Sequence, residues 1–286
     1  TRRRIRCCTA ITAIRRTSAL SSCAPPRRSG EAEARIEASP CEAAYTQARA
    51  STRQMRSAPF AFMRYRAATE AAQEWTETAS QCADRFAEGT MYAAQAQHQA
   101  TVLGDDLGEP TADTPGFTST LDDTTSLDFS ATGLQAMALS EDRAGFIMEF
   151  LAARESPNAS LSLSDSHKST ASRLISLAGN TSDPRQKVYD LSSIIAHTAT
   201  VTDPATGLTA PTSAVTEMEC AREDLESILG HASQTSAHAT GITPSSSAGQ
   251  PDASANSAQR NRSDTLKTLA SLVSSRASYA FAFGYP

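Results

Sequence analysis

The apolar residues of this chain recur at intervals of three, four and seven positions, which is the spacing of helices that bury one face. One stripe after Pro59 predicts a single helix of about ten turns; its members are Trp75, Ala79, Cys82, Phe86, Ala93 and Leu103. Later segments show similar spacing at 127–154, 166–178, 184–195, 213–229 and 260–281. The pattern predicts an all-α protein built as a helical bundle.

Composition and connectors support this prediction. Aromatic residues make up only 6% of the chain and alanine is abundant, which suits helices that pack closely over small side chains. Polar connectors separate the helices at 104–126 and 197–211, and about 232–259 is predicted to be a disordered linker because it offers almost no large apolar residue. The predicted regions are a leader and tether at 1–30, N-terminal helices at 31–107 and a bundle at 127–286.

Carboxylates interrupt the apolar helix at 140–154, where Glu141, Asp142 and Glu149 stand among large apolar residues. Burying an ionised carboxylate without a partner costs several kcal/mol, so Arg, His or backbone donors are expected on neighbouring elements. The candidate members of this buried polar network or metal site are Glu141, Asp142, Glu149, Arg154, His167 and Arg185, with Arg143 and Arg173 as further partners. A second acidic group predicts a solvated helix face; it comprises Glu217, Glu219, Glu223 and Glu226.

Cysteine spacing gives no metal motif. The six cysteines contain no CxxC pair and no spacing typical of a zinc site. Cys82 and Cys220 lie in predicted helices, where a single cysteine is commonly a small buried apolar residue. A disulfide between these two is left open.

The amino terminus is strongly basic, with fourteen arginines against four glutamates in residues 1–66. Its order of arginines, mildly apolar residues and Leu20-Ser21-Ser22-Cys23 resembles a bacterial lipoprotein signal, in which the cysteine is acylated. Arg15 and Arg16 interrupt the apolar part, so a disordered basic tail is the alternative. The arginines are not interleaved with aromatic residues, and no nucleic-acid partner is predicted.

Two regions, 134–195 and 260–286, resemble the actinobacterial ferritin-like domain of unknown function that occurs in predicted lipoproteins. The resemblance rests on the block from Glu141 to Arg154, on the helix with His167 and Lys168, on Asp183-Pro184-Arg185 with Tyr189, and on a closing pattern of Leu266, Leu269, Ala280, Phe283, Gly284 and Pro286. Phe283 stands where the family pattern has Trp. The resemblance implies an up-and-down ferritin-like helical bundle and a place in the cell envelope, but no reaction.

Metal chemistry of the ferritin type needs Glu-x-x-His pairs, because positions i and i+3 share a helix face. None of the five histidines has a glutamate three positions before it. No cofactor is therefore predicted; the alternative is iron or manganese held by an atypical set of Glu141, Asp142, Glu149 and His167. No catalytic motif is recognisable.

These observations predict a non-enzymatic cell-envelope protein, extracytoplasmic and membrane-anchored through a lipid on Cys23, with a binding or structural role. The alternative is a metal-binding ferritin-like protein. A protein partner and self-association are both left open.

Overall fold

The computed structural model describes residues 38–109, 121–122, 125–179, 182–237 and 253–286, and this part of the chain is predominantly helical. Its helices are α1 (Pro40–Ser57), α2 (Ala61–Gln81), α3 (Phe86–Leu107), α4 (Ala131–Ala153), α5 (Leu161–Ala178), α6 (Ser192–Ile195), α7 (Thr212–Ala237) and α8 (Ala253–Ala282). A short 3₁₀ helix covers Ala83–Arg85, and the strands β1 (Thr200–Thr202) and β2 (Thr209–Pro211) pair antiparallel. The prediction of an all-α bundle is confirmed.

Helix α8 is the common neighbour of two groups of helices. On one side α1 packs on α2, α2 packs on α3, and both α2 and α3 contact α8. On the other side α8 contacts α7, α7 contacts α4, and α4 packs on α5. Residues 38–286 consequently form one compact unit.

Small residues allow the helices to approach closely, as the composition predicts. The core between α1, α2 and α3 consists mainly of alanines around Trp75. A Cβ added at Gly89 would lie only 2.8 Å from the backbone nitrogen of Ala79 and the backbone oxygen of Trp75, so α3 approaches α2 at a point where only glycine fits. The main core joins apolar residues of α2, α3, α4, α5, α7 and α8.

Several helix ends follow from local chemistry. Ser39 and Glu42 form a reciprocal capping box at the start of α1, and α5 stops at Gly179, whose φ of 77° suits glycine. Ser130 caps α4 and Ser160 caps α5, so α4 begins later and α5 begins earlier than the predicted segments 127–154 and 166–178.

The single long helix predicted after Pro59 is wrong. The chain leaves the helix at Cys82 and re-enters it at Phe86, which divides the apolar stripe between α2 and α3. Cys82 forms a disulfide with Cys41, and this bond ties the corner between α2 and α3 to the first turn of α1. Cys82 is therefore not paired with Cys220, which is a buried free thiol.

The helix restart predicted at Asp183-Pro184 is also wrong. The chain is irregular from Ser182 to Leu191, and helix returns only in the single turn of α6. Asp183 accepts hydrogen bonds from the backbone N–H and the guanidinium of Arg185 and does not cap a helix. A local Asp–Arg pair thus lies where the helix predicted at 184–195 was expected to begin.

The connector at 197–211 folds into the β hairpin, which Asp203 fastens to the rest of the protein. The Asp203 carboxylate is fully buried and accepts hydrogen bonds from the Arg222 guanidinium at 2.8 Å and from the Tyr285 hydroxyl. Burial acts to raise the pKa of Asp203, but these hydrogen bonds, with others from the hairpin itself, lower it to about 2. The C-terminus and α7 are therefore both tied to the hairpin.

Parts of the predictions fall on the rest of the chain. The leader at 1–30, with Cys23, lies outside the described residues. Helix covers both ends of the expected linker, because α7 continues to Ala237 and α8 begins at Ala253, and residues 238–252 lie outside the described part. No helix in the described ranges has both the length and the apolar character needed to cross a bilayer.

Candidate functional site

One ionisable side chain from each of four helices meets in the middle of the bundle. Glu141 comes from α4, His167 from α5, Glu217 from α7 and Arg276 from α8, and all four are fully buried. We call this group the ion network. Each member lies within an apolar stripe of its helix, so helix packing alone carries the four groups into the core.

Glu141 and His167 make the central contacts of the ion network. The Arg276 guanidinium donates from Nε to Glu141 Oε1 at 2.9 Å and from Nη2 to Glu141 Oε2 at 2.8 Å, a bidentate geometry. The two ring nitrogens of His167 face Glu141 Oε2 at 2.5 Å and Glu217 Oε1 at 2.9 Å. Thr170 accepts a further hydrogen bond from Arg276 Nη2.

The charges of the ion network balance one another. Burial and Arg276 act to lower the pKa of His167, but the carboxylates of Glu217 and Glu141 outweigh them and raise it. Burial acts to raise the pKa of Glu141, yet Arg276 and His167 hold it below its usual value. Two cations therefore face two carboxylates, and the imidazolium form of His167 donates from both nitrogens.

Two further polar groups of α7 lie beside the network, at three and seven positions after Glu217. Burial, together with the nearby charge of Glu141, raises the pKa of Cys220 well above its usual value. The same two causes raise the pKa of Asp224, while Arg276 and the Ser140 hydroxyl only partly oppose them. Cys220 therefore stays a neutral thiol at neutral pH, and the core favours the protonated form of Asp224 over its carboxylate.

The network leaves some hydrogen-bonding capacity unused. Among the described residues, Glu217 Oε2, Arg276 Nη1 and both carboxyl oxygens of Asp224 are buried and make no hydrogen bond within normal geometric limits. Such groups cost about 1–3 kcal/mol each in a folded protein. The unpaired atoms therefore offset part of the stabilisation that the ion pairs of the network provide.

Of the six residues predicted for the site, the structure brings together only Glu141 and His167. Asp142 accepts a hydrogen bond from the Tyr189 hydroxyl at 2.8 Å, and Glu149 forms an exposed ion pair with Lys168. Arg154 lies over the Phe150 ring, and Arg185 pairs with Asp183. These four lie outside the ion network.

Sequence reasoning missed Arg276, Glu217, Cys220 and Asp224. The prediction of a solvated acidic face is wrong for Glu217, which is fully buried. A signal was present in the spacing, because Arg276 stands four positions from Leu272 and from Ala280, and Glu217 stands three from Ala214 and four from Ala221. A charge at such a stripe position indicates a buried group with a partner on another helix.

The residues present do not fit a ferritin-type di-iron centre. Both oxygens of Glu141 are already bound by Arg276, and both nitrogens of His167 face carboxylates. A guanidinium therefore supplies the positive charge that a metal pair would supply in a carboxylate bundle. All four members of the ion network are fully buried, so none of them presents a base or a nucleophile to solvent.

Comparisons with protein-family profiles, with curated proteins and with solved structures found no match for this chain. The resemblance to the ferritin-like domain thus depends on the motif residues alone.

We expect Arg276 and Glu141 to be strongly coupled in stability. Arg276→Met should lower the free energy of unfolding by about 3–5 kcal/mol, because it leaves buried carboxylates without their main cation. The double variant with Glu141→Met should lose clearly less than the sum of the two single variants, which gives a coupling of at least about 2 kcal/mol. Urea unfolding followed by circular dichroism measures all four proteins.

Glu149→Gln is the matched control for this cycle. It also removes a carboxylate of α4 that has a cationic partner, but the Glu149 side chain is 52% exposed, so the loss should stay below about 1 kcal/mol. Additive losses for Arg276→Met and Glu141→Met would contradict the ion network.

We expect stability to fall as the pH rises above about 6.5, the value at which an unfolded histidine titrates. His167 has a raised pKa in the folded protein, so its stabilisation is complete below that pH and is lost as the pH rises through the folded value. Asp224 also has a raised pKa, so its own contribution falls in the same direction but begins to fall already above about 3.9, the value at which an unfolded aspartate titrates. Urea midpoints measured across this range test the slope.

Two variants assign the slope to its source. His167→Gln should make the slope clearly shallower by removing the histidine contribution, whereas His197→Gln should leave it unchanged, because His197 is exposed. Equal slopes for wild type and His167→Gln would show that His167 is not an imidazolium in the folded protein.

Proposed function

We propose that this chain is a non-enzymatic helical-bundle protein of the cell envelope, tethered through a lipid on Cys23, with a binding or structural role. The observation that carries the proposal is the ion network, whose cations and carboxylates match one another inside the core. Groups that are neutralised in this way, and closed off from solvent, have no charge left for a substrate. Chemistry in the bundle core is therefore disfavoured, and surface binding or support is the remaining role.

The disulfide supports an extracytoplasmic place. Cys41 and Cys82 are paired, and disulfides of this structural kind are typical of exported proteins, because cytosolic thiols are kept reduced. The lipoprotein-like order of residues before Cys23 supports the same place. Two independent features of the chain thus favour export.

The ferritin-like resemblance enters the proposal through helix geometry. Carboxylate bundles of the ferritin type project one or two polar residues inward from each of four helices. Helices α4, α5, α7 and α8 do the same here with Glu141, His167, Glu217 and Arg276. We infer a ferritin-like bundle in which the ion network, made of side chains alone, occupies the position that a metal centre has in ferritin-type bundles.

Metal binding is the second candidate function, and one observation favours it. A carboxylate oxygen of Glu141, a ring nitrogen of His167 and the thiol of Cys220 all lie within 4.8 Å of one another and are buried. A donor set with a thiol and an imidazole suits zinc better than iron or manganese. A metal ion would have to displace the protons of His167 and Cys220 and compete with Arg276 for Glu141, so this candidate ranks second.

We expect the mature protein to be acylated. When the full chain is expressed in a bacterial host that exports lipoproteins, mass spectrometry of the membrane fraction should find a form that begins at an acylated Cys23 and contains a linked Cys41–Cys82 peptide pair. The Cys23→Ala variant should remain unacylated and leave the membrane fraction. A soluble, unacylated wild-type protein that retains residues 1–22 would contradict the proposal.

We expect the purified protein to be independent of metal. Elemental analysis should find well under one metal ion per chain, and the midpoint of thermal unfolding should not change when a chelator is added, because protons and a guanidinium hold the donor atoms. One zinc, iron or manganese ion per chain, lost in His167→Gln and kept in Glu149→Gln, would establish the second candidate instead.

A further inference from the structure

Helices α1, α2 and α3 line a solvent-open cleft with a volume of about 320 Å³. One face of α1 forms its rim, with Tyr45, Arg49, Arg53 and Arg56 at successive spacings of four, four and three. Residues at these spacings share a helix face. The cleft volume lies at the lower end of the range of about 300–1,000 Å³ that is typical of small-molecule pockets.

The rim carries an excess of positive charge. Within the described ranges, the guanidinium groups of Arg49, Arg53 and Arg56 form no ion pair; Arg49 only lies over a tyrosine ring. The carboxylate that lines the cleft belongs to Glu88, and Arg85 already pairs with it at 2.8 Å. Three guanidinium groups without anionic partners thus border one cavity, and guanidinium is the side-chain group best suited to bind phosphate or carboxylate.

The floor of the cleft is aromatic and held in place. Trp75 is 3% exposed, stacks on Tyr92 with ring centres 4.6 Å apart, and meets the Tyr45 ring edge-on at 5.7 Å. Its indole N–H donates to the Thr52 hydroxyl at 2.8 Å, which fixes the ring between α1 and α2. Tyr92 remains 36% exposed, so part of its ring is available to a ligand.

We propose that this cleft is a binding site for a small anionic molecule that carries a phosphate or carboxylate group beside a planar ring. The anionic group lies against Arg53 and Arg56, and the ring lies on the aromatic floor beside Tyr92. The inference gives a ligand class to the binding role proposed above. Binding is tested on the purified protein, whereas acylation and location are tested in membrane fractions. A negative result in either test therefore leaves the other result valid.

The chain contains its own reporter, because Trp75 is the one tryptophan in the sequence and lies in the floor of the cleft. We expect titration of the purified full chain with phenyl phosphate to change Trp75 fluorescence saturably. Inorganic phosphate should bind more weakly, since it lacks the ring, and benzyl alcohol should give no saturable change, since it lacks the charge. Raising the salt concentration should weaken the binding of phenyl phosphate.

Paired variants assign the binding to the cleft. The double variant Arg53→Gln/Arg56→Gln should raise the Kd of phenyl phosphate at least about tenfold, because it removes charge-assisted hydrogen bonds. Arg66→Gln is the matched control: Arg66 is an exposed arginine of α2 that pairs with Glu70 and does not line the cleft, so its Kd should not change. Thermal unfolding of each variant checks that the fold is intact.

Three outcomes would overturn the inference. The first is no saturable fluorescence change with phenyl phosphate at millimolar concentration. The second is an equal Kd for wild type and for Arg53→Gln/Arg56→Gln. The third is binding only to vesicles that contain phosphatidylglycerol, or only to single-stranded DNA, which would assign the arginines to a lipid surface or to a nucleic acid and not to a small ligand.

Discussion

The guanidinium of Arg276 is the constraint that positions the second half of the bundle. A buried guanidinium must meet a buried carboxylate, and the bidentate contact with Glu141 permits only one register of α8 against α4. His167 then links the same carboxylate to Glu217, which adds α5 and α7. Helix α8 also packs on α2 and α3. The contact that fixes Arg276 therefore helps to position α8 relative to both groups of helices.

Such a constraint adds to what apolar packing specifies. Large apolar side chains such as Leu134 and Leu272 are fully buried in the same half of the protein, and apolar cores of suitable volume tolerate changes in packing more readily than they tolerate an unpaired charge. A misplaced Arg276 or Glu141 would instead leave an unpaired charge in the core, at a cost of several kcal/mol. The unpaired atoms of Glu217 and Arg276 cost stability, so we infer that the benefit of the network is the register that it specifies.

The features that sequence reasoning predicted are those set by neighbours along the chain. Helical stripes located α7 and α8, and the predicted segment 166–178 ends at the same residue as α5. The break at Cys82 escaped because Cys82 and Phe86 are both buried and continue the stripe, with no glycine or proline between them. The partner of Glu141 lies 135 positions away, and nothing local to either residue indicates which helix supplies the opposite charge. The sequence therefore predicted that a buried polar network surrounds Glu141, but it did not predict which residues on other helices belong to that network.

The charges of the ion network are neutralised inside the core, whereas the arginine charges of the cleft face solvent. Arg276 is matched by a carboxylate that the chain itself supplies, so its field is largely cancelled within the core. Arg53 and Arg56 have no such partner in the part of the chain that the structure describes, and both are exposed, yet the whole chain has a net charge of −5. That net charge does not oppose an anion in the cleft, because solvent ions screen exposed charges beyond about 8 Å at physiological salt. The local excess of arginine therefore decides what the cleft attracts.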